Sequence, residues 1–378
     1  MLADHINEDR LKETLLKLVS IRSIYTKEDL IVDYLNRKLR PICDNVTLQP
    51  VPDCGGNIIG IIRGETDEAL LLNTHMDTVE PFSGWTKNIN GEEEDGRIYG
   101  LGALDTKGGL AALMEVFYAI KDSGFKPRKT VIFSAVCDEE GFSRGTYTLI
   151  ESGMLKNVRL GIVAEPTRLR LMRGGHGRLV FDIDIRGRPS HGAITRGAIN
   201  TIIEASKIVL YLTKASFPTG KDKAKTNVAP LSIRSSESIL THPERCILRF
   251  DVHYPPGVSK ISAKKRFVKA VLDTPNLKVK PNIDLMKRPT PYMEPYYIEN
   301  EIVEKIKGII ASILGHPPDL GISASVNDAN YLNNRAKIPT LVFGPSGMNE
   351  HAPDEYVEFD SVVTSAKVYA TIIEEMTK

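Results

Sequence analysis

The segment ALLLNTHMD (residues 69–77) decides the fold. Its apolar run is continuous rather than alternating, the pattern of a strand buried on both faces of a largely parallel sheet. His75 and Asp77 close the segment two residues apart, and so on one face of the strand. In open α/β sheets, sites gather at the carboxyl ends of the strands. Outward from this segment the pattern repeats. NIIGIIRG (57–64), TVIFSAVC (130–137) and LGIVAEP (160–166) read as further strands, and 8–20, 27–40 and 108–124 carry helical spacing. Strands alternating with helices predict an α/β layer with a mostly parallel central sheet.

Beyond this region the pattern changes. RLVFDIDIRG (178–187) alternates like a half-exposed strand, 200–215 reads as an amphipathic helix, and 226–236 and 244–256 read as strands. A helix at 259–274 and a strand at 276–283 complete a β-α-β-β-α-β order, that of an α+β ferredoxin-like sandwich. After the Pro-rich break KRPTPYMEP (287–295), a helix at 300–314, a strand at 338–344 and a helix at 360–376 restore the α/β character. The expected organisation is one α/β domain, 1–175 plus 288–378, interrupted by a small domain at 176–287. An open sheet edge on the insert is a liability unless paired, which favours a homodimer.

Composition narrows the partners. Among 378 residues, 49 Lys and Arg nearly cancel 48 Asp and Glu, so neither nucleic acid nor an anionic membrane is expected. No stretch approaches the roughly 20 apolar residues of a membrane helix, and the charged opening MLADHINEDRLKE does not read as a signal peptide. Cys43, Cys54, Cys137 and Cys246 are scattered without a CxxC pair. They are expected as free thiols in a reducing cytoplasm.

The acidic and imidazole groups carry the chemistry. Asp105 follows the glycine-rich turn GLGAL (100–104), and Asp138, Glu139 and Glu140 end the strand 130–137. Glu165 ends the next strand, and His351 follows GPSGMNE just past 338–344. GEEED (91–95) follows no buried strand and reads as a solvated loop. Each group alone has a structural reading: a strand cap, a helix N-cap, an acidic turn. Together, two imidazoles and three or four carboxylates share one end of the predicted sheet. That donor set suits Zn²⁺ first, with Co²⁺ or Mn²⁺ as substitutes. One bridging carboxylate, with one His and one terminal carboxylate per ion, makes a two-metal site open to water.

The blocks NTHMDTV (73–79), GRIYGLGALDTKGG (96–109), CDEEGFSRG (137–145), VAEPT (163–167), GRPSHGA (187–193) and HAPDEYV (351–357) span nearly the whole chain. In order and spacing they resemble the metallohydrolase family of acetylornithine deacetylase, succinyl-diaminopimelate desuccinylase, aminoacylase and carboxypeptidase G. The resemblance implies a di-zinc exopeptidase-like catalytic domain with an inserted dimerisation, or lid, domain. It implies His75 and Glu165 as ligands of one metal, Glu140 and His351 of the other, and Asp105 as the bridge. Asp77 would orient His75, and Glu139 would be the general base for a hydroxide shared by the two ions. His191 matches a histidine that reaches the partner subunit's site, and Asn227, in TNVAP, matches an asparagine near the substrate. The implied activity is hydrolysis of a linear amide C–N bond in a small N-acyl amino acid, of deacetylase or desuccinylase type. A carboxypeptidase or dipeptidase acting on a short peptide with the same site is the alternative.

Three positions depart from this family's pattern. His176 in GGHGR and His253 in DVHYPPG stand where relatives often carry a cation, and Asn330 in NDANYL stands where several carry Arg. A guanidinium at such a position can hold a substrate carboxylate bidentately. These departures point to a substrate held differently, with Arg178 or Arg249 as compensating groups.

Overall fold

A computed structural model describes residues 1–286 and 293–378. Most of the Pro-rich break, and the boundary expected at 287/288, lie outside the described residues. The chain forms two compact units: Met1–Arg173 with Ile298–Gly321 and Asn327–Lys378, and Gly174–Tyr297 with Ile322–Val326. Residues 322–326 group with the second unit, where the Ser323 carbonyl accepts from the His176 amide at 3.0 Å.

The first unit is built on a mixed sheet. Its centre runs Lys129–Val136, Thr66–His75, Val158–Val163 and Thr340–Val342, all parallel. Antiparallel strands flank it: Asn45–Gln49 and Asn57–Ile62 on one side, and Leu171–Gly175, paired through Met172, on the other. Antiparallel neighbours need no crossover helix, so the short 50–56 connection suffices at that edge. The expected mostly parallel sheet therefore holds at the centre and not at the edges. The central strand is buried as its continuous apolar run requires, without a break from Ala69 to His75.

Helix Gly108–Ser123 packs against this sheet with Gly108 to Phe117 buried without a break. Two glycines set how closely backbone approaches the strand end at 163. A Cβ on Gly109 would lie 2.2 Å from the Ala164 carbonyl oxygen, and one on Gly344 would lie 2.3 Å from that of Glu165. The Ala164–Glu165 backbone is thus gripped from two sides, and no side chain larger than hydrogen fits at either place. Residues 92–94, expected as a loop, form a short strand beside Arg97–Tyr99. Its acids are held by cations, Glu93 by Lys12 at 2.7 Å and Glu94 by Lys87.

The second unit has the order β-α-β-β-α-β: Gly177–Arg186, Thr201–Leu212, Asn227–Ser235, Arg245–Tyr254, Lys260–Leu272 and Asn282–Leu285. Its four strands lie in the order 227–235, 245–254, 177–186, 282–285, antiparallel throughout. The last strand begins at 282 rather than 276, because Leu277 and Val279 reach the core as side chains without joining the ladder. Phe267 centres the core, stacked on Phe181 at 4.3 Å and tilted against Phe250 at 5.7 Å. All four cysteines of the chain are free thiols. Among the described residues, no helix is long and apolar enough to cross a membrane.

Removing the central ring should unfold the second unit first. Phe267→Ala is expected to cost about 3–5 kcal/mol, read as a lowered urea midpoint by circular dichroism. Lys280→Ala, a control at an exposed position, should stay within about 0.5 kcal/mol of the parent.

Candidate metal centre

Seven of the expected site residues converge at the carboxyl end of the first unit's sheet. His75 ends the central strand, Glu139 and Glu140 follow the 129–136 strand, Glu165 follows the 158–163 strand, and Asp105 sits just before the 108–123 helix. His351 comes from the loop between the short strands Gly347–Met348 and Tyr356–Glu358. His75 Nε2 lies 3.0 Å from Asp105 Oδ1 and 3.7 Å from Glu165 Oε1. His351 Nε2 lies 2.7 Å from Glu140 Oε1 and 3.1 Å from Asp105 Oδ2. Asp105 therefore stands between the two imidazoles, one carboxylate oxygen toward each.

Asp77 acts at two places. Its backbone carbonyl lies 3.1 Å from His75 Nδ1, while its carboxylate is farther from that nitrogen, at 3.5 Å. The carboxylate instead accepts the amide N–H groups of Glu139 at 3.1 Å and Glu140 at 3.0 Å. One buried group thus fixes both the imidazole and the adjacent glutamates. Asp138, the first of the three consecutive acids, is structural: buried and at φ 61°, it accepts from Arg144 Nε at 2.7 Å.

Several supporting residues escaped the sequence reading. Glu355 is buried and accepts the amides of Gly102 at 2.8 Å and of Leu104 and Asp105 at 2.9 Å each, holding the turn that presents Asp105. Glu28 accepts the amides of Thr26 at 2.7 Å, Gly55 at 2.9 Å and Asp138 at 3.2 Å. Asp328 accepts from Asn73 Nδ2 at 2.9 Å and from the Thr146 hydroxyl. Lys107, buried beside the site, donates to the Ile21 carbonyl at 2.7 Å. Nothing in their local sequence separates these groups from ordinary caps and surface charges; only the tertiary fold buries them.

The electrostatics are unbalanced. Burial pushes the Glu139 and Glu165 carboxyls well above the ordinary carboxylate range, and nearby acids add to it while His75 opposes. Burial and Asp105 also raise Glu140. Burial alone would lower His75, yet Glu165, Asp105 and Asp77 hold it well above its usual value. Hydrogen bonds to Asp105 and Glu140 raise His351 to about 11. Asp105 is pushed up by burial but held below the usual range by the two imidazoles. Burial brings Lys107 down to about 7 and takes Glu355 up to about 7. Two imidazoles do not neutralise four carboxylates, and buried charge of one sign calls for a cation or a proton.

The donor set fits divalent ions. Ligand atoms of His75, Asp105 and Glu140 lie within 4.8 Å of one another. Glu165 Oε1 is buried with no hydrogen-bond partner, an orphaned acceptor of the kind a cation satisfies.

The remaining expected site residues have other partners. Asn330 is buried in the first unit as part of a capping box, its Oδ1 accepting the Asn327 amide at 3.1 Å. In the second unit, the His176 ring lies between the carbonyls of Ser323 at 2.6 Å and Lys225 at 3.0 Å. Arg178 is bound to Asp251 at 2.8 Å, and His253 Nε2 lies 3.3 Å from the same carboxylate. Arg249 is bound to Asp182 at 2.8 Å. Asn227 is exposed at the start of the edge strand, in register with His253. His191 is exposed on a loop whose neighbours pair with 240–242, through Gly192 N–H to the Leu240 carbonyl at 2.7 Å.

The family model described as Peptidase family M20/M25/M40 matches residues 71–375. A LysW-lysine/LysW-ornithine hydrolase of Sulfurisphaera tokodaii is 28% identical over 99% of this chain and 98% of its own. An acetylornithine deacetylase of Buchnera aphidicola is 24% identical, covering 96% of each. In fold, a tripeptidase from Staphylococcus aureus superposes with a TM-score of 0.79 at 23% identity, over 98% of this chain and 99% of its own.

Asp77→Asn replaces an acceptor of two amides with a group that repels one of them. Zinc affinity, measured by calorimetric titration, should fall about 10–100-fold. Gly109→Ala should likewise weaken zinc binding, because the methyl group displaces the Ala164–Glu165 backbone; an Ala variant binding zinc as tightly as the parent contradicts the packing argument.

Proposed function

We propose, given that the chain belongs to peptidase family M20/M25/M40, that it hydrolyses the amide bond of a small N-acylated amino acid. Relatives named for LysW-linked lysine or ornithine and for acetylornithine match almost end to end, which favours an acylated diamino acid. The observation that carries the reading is Asp105 standing between His75 and His351, with Glu165 Oε1 buried and unpartnered.

In this reading His75 and Glu165 hold one divalent cation, Glu140 and His351 hold the other, and Asp105 is shared. Zinc is the first choice for this donor set, with Co²⁺ or Mn²⁺ as alternatives. When bound, the ions supply Lewis acidity toward the amide carbonyl and lower the pKa of water toward neutrality. Glu139 takes a proton from the attacking water and returns it to the departing amine nitrogen. Its burial suits that work, since a carboxyl raised above its ordinary range is a stronger base near neutral pH. Asp77 fixes the backbone of Glu139 and Glu140 by accepting both amides, which supports separate tasks for the two carboxylates.

His191 would be supplied by a second copy to stabilise the oxyanion. A homodimer is supported by the second unit, where Ile202, Ile203 and Leu210 are exposed on one helix, and Leu231 and Ile233 on the neighbouring edge strand. An unpaired edge with apolar side chains is the kind of surface a second copy covers. The exopeptidase alternative needs a cation for a terminal carboxylate, and Arg178 and Arg249 already hold carboxylates of the fold.

Glu139→Ala should lower kcat by about 10²–10⁴-fold while elemental analysis still finds two zinc ions per chain. Retained activity would assign the base elsewhere. The zinc-loaded enzyme should prefer N-acetyl and N-succinyl lysine or ornithine to unblocked dipeptides in matched rate assays; the opposite ranking selects the exopeptidase reading.

A further inference from the structure

The second unit carries a basic groove that the proposed reaction does not use. Helix Lys260–Leu272 contains Lys260, Lys264, Lys265, Arg266 and Lys269 and no acidic residue. The chain as a whole is balanced, 49 cations against 48 acids, so this is a local concentration of charge. Along the same helix run Ile261, Val268 and Leu272, spaced seven and four apart and therefore in one stripe. Ile261 is 65% exposed and Leu272 45%. The stripe, its lysines, Leu285 and one acid, Asp273, line a groove of about 860 Å³. A second hollow of about 390 Å³ shares Ile261, Lys265 and Lys269 with it and extends to Ser259 and Ser262.

The cations differ in their commitments. Arg266 donates to the Ser216 carbonyl at 2.7 Å, and Lys269 pairs with Asp273 at 2.7 Å. Lys264 and Lys265 are exposed and have no acidic partner among the described residues. Two uncommitted ammonium groups beside an aliphatic stripe form a surface with both charge and apolar character.

We propose that this groove docks an acidic amphipathic helix of a partner protein. An amphipathic helix lays its apolar face into such a trough, and glutamates on its flank meet the lysines. The alternatives fit less well. Single-stranded RNA is held by stacking on aromatic side chains, and the groove has none. A membrane-surface helix projects its apolar face, commonly with Trp or Phe, whereas these aliphatic groups line a hollow. The helix is 13 residues long, so a complementary segment of about four turns covers it.

The probe is a fluorescein-labelled peptide of about 14 residues, with leucines at i, i+3, i+4 and i+7 and glutamates on both flanks. Titrated with the full chain and followed by anisotropy, it should bind, and binding should weaken as salt rises. Its glutamine counterpart should bind at least about tenfold more weakly. K264E/K265E should lose about tenfold or more, with an unchanged circular dichroism spectrum. I261S/L272S should weaken binding while keeping the salt dependence. The proposal is overturned if the acidic peptide does not bind, or binds K264E/K265E as tightly as the parent. It is equally overturned if oligouridine or phosphatidylserine vesicles bind with the same lysine dependence and displace the peptide.

Discussion

Carboxylates gathered at one end of a buried sheet repel one another, and the surroundings of the site are arranged around that repulsion. Glu139, Glu140, Glu165 and Asp105 are brought together by strand ends and one helix start, with only two imidazoles to offset them. Left to itself such a cluster is costly, because desolvated like charges cannot all stay ionised. The fold accepts that cost through rigid backbone. Asp77, Glu355 and Glu28 are themselves buried carboxylates; Asp77 and Glu355 accept two or three amide N–H groups of the segments that carry the site, and Glu28 ties the Asp138 amide to those of Thr26 and Gly55. Anchors of this kind keep the clustered acids and imidazoles in place where mutual repulsion of the carboxylates would otherwise spread them.

Much of this was legible in the sequence. The continuous apolar run before His75 placed a central strand, and β-branched runs before Asp138 and Glu165 placed its neighbours, so their polar ends had to lie together. The insert was legible from the change to alternation at 178–187. Less was legible where two structures share one local pattern. The flanking strands 45–49 and 171–175 are short and lack a diagnostic period, and sequence alone does not tell a parallel neighbour from an antiparallel one. Leu277 and Val279 carry strand-like alternation, yet they serve only as core side chains.

The supporting shell was the hardest part to read. Glu355 lies in HAPDEYV beside a proposed ligand, and Asp328 lies in NDANYL beside a suspected specificity position, but nothing local tells a buried anchor from a solvated acid. Their partners are more than 180 residues away in the chain. The same blindness affects the arginines. Arg178 and Arg249 read in the sequence as available for substrate, and cross-strand pairing with Asp251 and Asp182 commits both. His176, likewise a candidate substrate contact, is clasped between two backbone carbonyls. The side chains expected to face substrate are therefore committed to partners within the fold.

The most direct measurement is anomalous diffraction at the zinc edge from crystals grown with zinc. Two peaks are predicted, one within ligand distance of His75 and Glu165, the other of Glu140 and His351, with Asp105 touching both. No peak among these residues, or a single ion leaving Glu165 Oε1 without a partner, would contradict the account.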